Sequence, residues 1–328
     1  MTKLGELDYL LESPDDRAGA LGFGTNVKPP APLRVFNQTL NLDLLQATAE
    51  ALVKDDLPND PNALQVQDLM LLGTSMGGAR PKAVVEDQGA LWIAKFGRPD
   101  DRWNSERVEH AMLELARQCG IQAAESRVEQ VNGKDVLLVK RFDRTRAEDN
   151  SGYLRSRMIS SLTVLRAEDS ALARERWSYL ILVEEMRRVV SEPKEDAREL
   201  FRRVVFNALI SNIDDHPRNH ALIAPQKHWR LSPAYDLTPA PSVSLDRRDL
   251  AMECGAQGRY MNAANILSEH RRFLLEPEEA HRIVTEMAEQ VKSTWETTVL
   301  VAGASQRDVD AIHSAFVYPG FFHTPNGN

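Results

Sequence analysis

Asp214 and Asn219 stand five residues apart in Ser211-Asn-Ile-Asp-Asp-His-Pro-Arg-Asn219, just after the apolar run Val204, Val205, Phe206, Leu209 and Ile210. A carboxylate and a carboxamide at D-x-x-x-x-N spacing suit phosphoryl transfer. The carboxylate orients and deprotonates an attacking hydroxyl, and the amide oxygen holds a metal against the phosphates. Taken alone, the pattern also describes an Asp/Asn-rich turn capping a helix. Asp236 extends it: in Leu231-Ser-Pro-Ala-Tyr-Asp-Leu237 it follows a short apolar strand, 17 residues after Asn219, where a second metal-binding aspartate belongs. Hard oxygen ligands of this kind suit Mg2+, which keeps several waters and also takes phosphate oxygens. A solvated turn after Pro233 is the plainer account of Asp236 by itself.

Two further features lie upstream. Lys95 interrupts the apolar strand Leu91-Trp-Ile-Ala-Lys-Phe96, and Glu109 follows 14 residues later on a helix. A strand lysine fixed by a helix glutamate is how kinases hold the α- and β-phosphates of ATP; an exposed lysine at a sheet edge is the ordinary alternative. The turn Gly73-Thr-Ser-Met-Gly-Gly-Ala-Arg-Pro-Lys82 carries Gly77-Gly78, which lets backbone N–H groups approach a phosphate closely. It matches neither G-x-G-x-x-G nor G-x-x-x-x-G-K-[ST] and would serve equally as a plain hairpin turn. The order carries more weight than any single feature: glycine turn, strand lysine, helix glutamate, D-x-x-x-x-N, strand-end aspartate.

The elements that must position these residues change character along the chain. Before residue 70, Gly5–Leu11 predicts a short helix, Ala18–Phe23 a strand, and Lys28–Pro32 a Pro-rich connection that cannot be helical. Leu42–Val53 has apolar residues at helical spacing (Leu44, Leu45, Ala47, Leu52), with Asn41 as N-cap. Ala83–Glu86 and Leu91–Phe96 read as strands, Glu106–Gln118 as an amphipathic helix. Val128–Val131 and Val136–Val139 read as a hairpin across Asn132-Gly133. Residues 145–157 are polar and predict a loop. Helices follow at Trp177–Val189, Glu195–Asn212, Pro277–Lys292 and Ser305–Val317, with one strand pair at His220–Ile223 and Trp229–Leu231. The pattern is α+β: a β-rich N-lobe over residues 1–143 and a mainly helical C-lobe over 144–328, an order similar to the two-lobed plan of protein-kinase-like folds, although periodicity by itself supports only α+β with two lobes.

Composition narrows the function classes. The chain has 328 residues, 42% hydrophobic, 27% charged and 6% aromatic, which excludes disorder and fibrous repeats. A formal charge of −8 gives no electrostatic drive toward non-specific nucleic-acid binding; a sum leaves a locally basic surface open, and a DNA link is expected through a partner. Two unclustered cysteines, Cys119 and Cys254, make neither a zinc site nor a disulfide framework, and Cys119 reads as a buried reduced thiol. No run reaches the roughly 20 apolar residues that span a bilayer, and Met1–Leu10 lacks the layout of a secretory signal. The cytoplasm is the expected compartment, with no membrane partner.

Five strings resemble the HipA kinase family: Ser75-Met-Gly-Gly-Ala-Arg-Pro-Lys82, Trp92-Ile-Ala-Lys95, Arg141-Phe-Asp-Arg144, Asn212-Ile-Asp-Asp-His-Pro-Arg-Asn219 and Ser232-Pro-Ala-Tyr-Asp236. The resemblance covers roughly residues 65–300, and R-F-D-R and S-P-A-Y-D are not general kinase strings. It implies a HipA-like fold and a Mg2+- and ATP-dependent serine/threonine protein kinase, the toxin of a toxin–antitoxin pair. By it, Asp214 is the catalytic base and Asn219 and Asp236 hold Mg2+. Lys95 contacts the nucleotide phosphates, paired with Glu109. Gly77, Gly78, Ala79, Arg80, Pro81 and Lys82 form the phosphate loop, and Lys140, Arg141 and Phe142 meet the adenine. His216, Arg218 and Tyr235 belong to the nucleotide site, and Ser75 is the autophosphorylated serine, with Thr74 the nearest stray site. Read without the family, Arg141-Phe-Asp-Arg144 is a charged strand end with one buried aromatic.

The resemblance also implies partners: a HipB-like helix-turn-helix antitoxin that alone would touch DNA, and a protein substrate, typically an aminoacyl-tRNA synthetase. Lys140 departs from the acidic residue some members carry at the hinge. The segment ahead of Leu10–Phe23 is short, which is expected of a compact, HipT-like form whose small N-terminal subdomain is absent or made as a separate protein. Two other readings stay open at this point: a phosphotransferase acting on a small molecule, and a catalytically silent module that binds the antitoxin.

Overall fold

Alternating apolar side chains build the first of two units. In the computed structural model, which describes residues 5–12, 17–27, 37–38, 45–46, 80–170, 172, 174–242 and 244–323, this unit comprises Met1–Asp101 with Ser126–Met158. Strands Lys82–Asp87 and Ala90–Phe96 pair antiparallel. Gln88 and Gly89 between them take positive φ (48° and 73°), the geometry of a tight two-residue hairpin. Ala90–Phe96 pairs on its other edge with Lys134–Lys140, and that strand with Ser126–Val131 across the expected Asn132-Gly133 turn (φ 50° and 77°). Asn37–Gln38 adds in parallel to Lys82–Asp87, completing a five-stranded sheet.

Period-two alternation sends Ala83, Val85, Trp92, Ala94, Phe96, Val136 and Leu138 to one face, where they pack with Leu45 and Val131 as the core. The register sets Lys82 opposite Lys95, and Lys95 opposite Leu137; both lysines alternate with the core residues of their strands and so share the other face.

Two expectations fail in this unit. Residues 145–157 are not all loop: Arg144–Arg146 pairs antiparallel with Tyr153–Arg155. This polar hairpin is fastened to the sheet by ionic and hydroxyl groups, which apolar periodicity does not register. Arg146 Nη1 (2.6 Å) and the Tyr153 hydroxyl (2.8 Å) both donate to Glu86 Oε1. Nor is Ala18–Phe23 a strand. Backbone groups there bond to side chains rather than to a neighbouring strand, through Asp143, Arg144 and Arg155. The first helix is present as Glu6–Glu12. Lys28–Pro32 and most of Leu42–Val53 lie outside the described residues; Leu45 and Gln46 are helical and buried.

The second unit comprises Arg102–Glu125 and Ile159–Asn328. Its helices start where the sequence supplies caps or prolines. Asn104 caps Ser105–Gln118, accepting from Arg107 N, and Ser178 caps Tyr179–Arg187, accepting from Ile181 N. Pro193 and Pro277 open Pro193–Leu209 and Pro277–Val301, each with two acidic residues in the first turn. A Ser305–Asp308 capping box starts Gln306–Ile312. The long helix runs nine residues past the expected Lys292, because its buried face continues to Thr298 and Val299. The Ser305–Val317 segment instead breaks at Ile312 into a 3-10 turn, His313–Ala315.

Ala221–Ala224 and Arg230–Leu231 form the expected strand pair. Cys119 is half-buried at a helix end and Cys254 buried; both are free, and burial pushes each thiol up to about 12, which disfavours the thiolate. No helix among the described residues is long and apolar enough to cross a membrane.

Candidate active site

Helix Pro193–Leu209 delivers the D-x-x-x-x-N segment. It ends because Ser211 turns left-handed (φ 51°), a conformation fixed from two sides. The Ser211 hydroxyl donates to the carbonyl of Ala315 at 2.6 Å and accepts from Arg248 Nη1 at 2.8 Å. Asn212 folds back on the helix, its N–H to the carbonyl of Asn207 (2.7 Å) and its Nδ2 to Asn207 Oδ1 (3.1 Å).

Asp214 then emerges exposed while Asp215 points inward, 1% exposed. The Asp214 carbonyl accepts from His216 N at 2.8 Å and from Asn219 Nδ2 at 3.3 Å. A 3-10 turn, Pro217–Asn219, closes the loop, with Asn219 N donating to the His216 carbonyl at 2.9 Å. The amide nitrogen of Asn219 is therefore engaged, and its oxygen is the atom the side chain offers to a cation.

Asp236 is held by its neighbours. Ala234 N donates to the Gln122 carbonyl (2.7 Å) and Ala124 N to the Ala234 carbonyl (2.8 Å). Buried Arg203 donates from Nη2 to the Ser232 carbonyl at 2.7 Å, while Glu199 Oε1 takes its Nε and Nη2. The Tyr235 hydroxyl donates to the Arg218 carbonyl. Asp236 itself, half-buried, takes φ 59°, a left-handed conformation that Asp adopts more readily than most residues. Arg218 pairs with Asp169 (Nη1–Oδ2 3.1 Å), and the half-buried His216 ring meets Trp177 edge-on at 6.3 Å. Asp214, Asn219, His216, Arg218, Tyr235 and Asp236 thus all belong to one unit, and the Tyr235 hydroxyl ties the Asp236 segment to the Arg218 carbonyl.

The other predicted residues that are described fall in the first unit, Glu109 excepted. Arg80 forks onto Asp101 (2.8 and 2.6 Å), and the Pro81 carbonyl accepts from Phe96 N (3.2 Å). Lys140 Nζ lies 5.8 Å from the centroid of the Trp92 ring, and Phe142 is half-buried. Glu109 is buried in helix Ser105–Gln118 of the second unit, whereas Lys95 stands in the sheet of the first. Ser75, Gly77, Gly78 and Ala79 lie outside the described residues.

Arg141 is buried against Asp143. Its Nε and Nη2 grip Asp143 Oδ1 and Oδ2 at 2.9 Å each, and Arg144 Nη1 reaches Asp143 Oδ2 at 2.6 Å. The R-F-D-R string is thus an ion cluster that also binds Gly19 N and the carbonyls of Arg17 and Gly19.

Sequence reasoning overlooked Tyr179, Asn207 and His220, which converge on Asp215. The signal was Asn207, a polar residue inside the apolar run Val204–Ile210, where burial demands a partner.

Comparison with known proteins places the chain beside a family model, two curated relatives and a solved structure. Residues 74–295 match the family model described as HipA-like C-terminal domain. A Sinorhizobium fredii protein named "Putative kinase Y4mE" is 24% identical over 226 residues, covering 63% of this chain and 53% of that protein. A Haemophilus influenzae protein named "Putative kinase" is 22% identical over 192 residues, covering 52% and 55%. The chain spans about half the length of these curated relatives. Among solved structures, Shewanella oneidensis HipA, determined with HipB and its operator DNA, matches with a TM-score of 0.58 at 17% identity. That match covers 73% of this chain and 62% of that one, a likeness of fold.

Proposed function

Because the chain belongs to the HipA-like C-terminal domain family, we propose that it is a Mg2+- and ATP-dependent serine/threonine protein kinase, the toxin of a toxin–antitoxin pair. The observation that carries this reading is the loop in which Asp214 is exposed and Asn219 is folded onto the Asp214 carbonyl. Asp214 takes the proton of a serine or threonine hydroxyl. That oxygen forms its bond to the γ-phosphorus as the bridging bond to the β-phosphate breaks, and ADP leaves.

Asn219 through its amide oxygen and Asp236 through its carboxylate are the residues that would hold Mg2+. An oxygen-only pair suits an ion that keeps waters and takes phosphate oxygens, and among the described residues no group of three or more His, Cys, Asp or Glu forms a protein cage. When bound, Mg2+ neutralises phosphate charge.

Lys95 is assigned to the nucleotide phosphates with Glu109 as its ion partner, and Gly77–Lys82 to the same phosphates. Lys140–Phe142 are assigned to the adenine, and His216, Arg218 and Tyr235 to positioning around the nucleotide. We assign an aminoacyl-tRNA synthetase as substrate and a HipB-like antitoxin as partner, in the cytoplasm. The pairing of Shewanella HipA with HipB and operator DNA supports the partner, and the net charge of −8 supports DNA contact through it alone.

The test is phosphate transfer from ATP by the purified chain and by Asp214→Asn. The variant should keep its fold and ATP binding and lose about 10²–10⁴ in rate, the range for a lost general base. Activity within a few-fold of the parent would remove Asp214 from the role. Phosphoproteomics after expression separates a protein substrate from a small-molecule acceptor.

A further inference from the structure

Asp214 and Asn219, the two loop residues to which the kinase reading gives base and metal roles, are each followed by a buried residue. Asp215 is 1% exposed and His220 2%. These two side chains meet, His220 Nε2 lying 2.7 Å from Asp215 Oδ2. The same oxygen accepts from Asn207 Nδ2 at 2.7 Å and from the Tyr179 hydroxyl. Three donors thus converge on one carboxylate oxygen from separate places: helix Tyr179–Arg187, helix Pro193–Leu209, and the entry to strand Ala221–Ala224.

Asn207 is itself fixed, since Asn212 donates to both its backbone and its side-chain oxygen. The Tyr179 ring packs edge-on against His220, their centroids 5.6 Å apart. Burial and the Asp215 charge push the Tyr179 hydroxyl well above its ordinary value, so it remains a proton donor at any working pH.

A buried carboxylate with so many directed donors is costly to assemble and rigid once assembled. Its location gives the rigidity a use. The bond between residues 215 and 220 spans the same interval as the pair 214 and 219, one residue further along the chain. Asp214 and Asn219 are therefore fastened at a fixed separation from behind, through a contact that uses neither the Asp214 carboxylate nor the Asn219 amide oxygen. The Asn219–Asp214 carbonyl bond, at 3.3 Å, is long for this task by itself.

We infer that Asp215 is a positioning residue for phosphoryl transfer, stapling His220 so that the base and the metal-binding amide keep one geometry. The inference rests on the kinase reading. A purely stabilising role would lower the amount of folded protein but leave each folded molecule with unaltered Mg2+ coupling. A staple, once loosened, alters that coupling directly.

The experiment measures two quantities on the full chain and on Asp215→Ala, Asp215→Asn, His220→Gln and Tyr179→Phe. The first is kcat per nucleotide-binding molecule. The second is ADP affinity by calorimetry as a function of Mg2+, a readout independent of turnover. Asp215→Ala should lower kcat about ten- to a hundred-fold, the scale for misplacement of reacting groups by about 1 Å. It should also raise the Mg2+ needed for half-maximal coupling several-fold, with Mg2+-free ADP affinity unchanged. Asp215→Asn keeps an oxygen in place of Oδ2 and should recover most of both.

If Asp215→Ala does not fold, the milder Tyr179→Phe and His220→Gln decide, through a shift in the same direction. Folded variants with parental kcat and parental Mg2+ coupling overturn the staple alone. A parent chain with no Mg2+-coupled nucleotide binding overturns the kinase reading, and the staple with it.

Discussion

The Tyr235 hydroxyl donates to the Arg218 carbonyl at 2.7 Å, tying the residue before Asp236 to the residue before Asn219. The two residues assigned to the metal come from segments 17 residues apart in sequence, and this bond joins those segments at the point of use. Tyr235→Phe removes one neutral hydrogen bond, worth about 1 kcal/mol in net terms. The variant should fold, with a small loss of thermal stability, and Mg2+-dependent ADP affinity should weaken by about five-fold, the equivalent of that energy. Calorimetry with and without Mg2+ measures it; unaltered coupling would show that the two segments are positioned without this bond.

Asp236 combines a left-handed backbone with an acidic side chain. Asp236→Asn keeps a residue tolerant of that backbone and removes only the charge. Nucleotide binding by the parent should weaken when EDTA replaces Mg2+, and the variant should bind nearly alike in both. Identical parental ATP affinity with Mg2+ and with EDTA would remove Asn219 and Asp236 from the metal role together.

Ser75 stands two positions before Gly77-Gly78, in the segment proposed as the phosphate loop. Phosphorylation would add about −1.5 to −2 charges. Under the proposed function, such a group would compete with ATP for the N–H donors of that segment and for Lys95. Incubation with Mg2+-ATP should therefore place phosphate on Ser75, and the modified chain should bind ATP poorly. Intact-mass measurement and peptide mapping decide the first half, and ATP titration of the phosphorylated form the second. An active kinase unmodified at residues 74–75 would rule out this form of control.

The parts of the fold that were legible in the sequence are those governed by local rules. Asn132-Gly133 dictates its own hairpin, and Ser305 with Asp308 its own cap, whatever surrounds them. Asp214, Asn219 and Asp236 stood out in the sequence by type and spacing, and the structure gathers them in one unit. What escaped was written in long-range polar contacts. Asp143 reaches Gly19 across 124 positions, and Tyr179 reaches Asp215 across 36. Neither leaves a periodic trace, so Ala18–Phe23 reads as a strand and R-F-D-R as a mere charged strand end. An unexplained polar residue in an apolar run, Asn207, is the trace such networks do leave.

The Asp143 cluster gives a prediction with a defined pH window. Its carboxylate is 4% exposed, and the side chains of Arg141 and Arg144 are 0% and 1% exposed. Burial alone would raise the Asp143 pKa. The Arg141 hydrogen bond, the charges of Arg141 and Arg144 and the Gly19 N–H outweigh burial and hold the pKa below the usual aspartate value. A depressed folded pKa means the native state holds the proton less tightly than the unfolded chain. The cluster's contribution is therefore complete above the unfolded value of about 3.9 and fades as pH falls through it toward the folded pKa. Asp143→Ala strands two buried guanidinium groups and should cost about 3–5 kcal/mol, the scale for breaking a buried ion pair by removing one partner. Asp143→Asn keeps the shape and removes the charge, so it should cost less and should erase the pH dependence. Denaturant melts of the parent and of Asp143→Asn should differ by a constant amount above about pH 5 and converge below about pH 4. Because Arg144 Nη2 holds the Arg17 carbonyl at 2.6 Å and Arg155 Nε the Gly19 carbonyl at 3.3 Å, limited trypsin digestion of either variant should also cut faster at Arg17. A stability gap that does not change with pH, together with unchanged cleavage at Arg17, would show that the cluster neither titrates nor anchors the 17–21 segment.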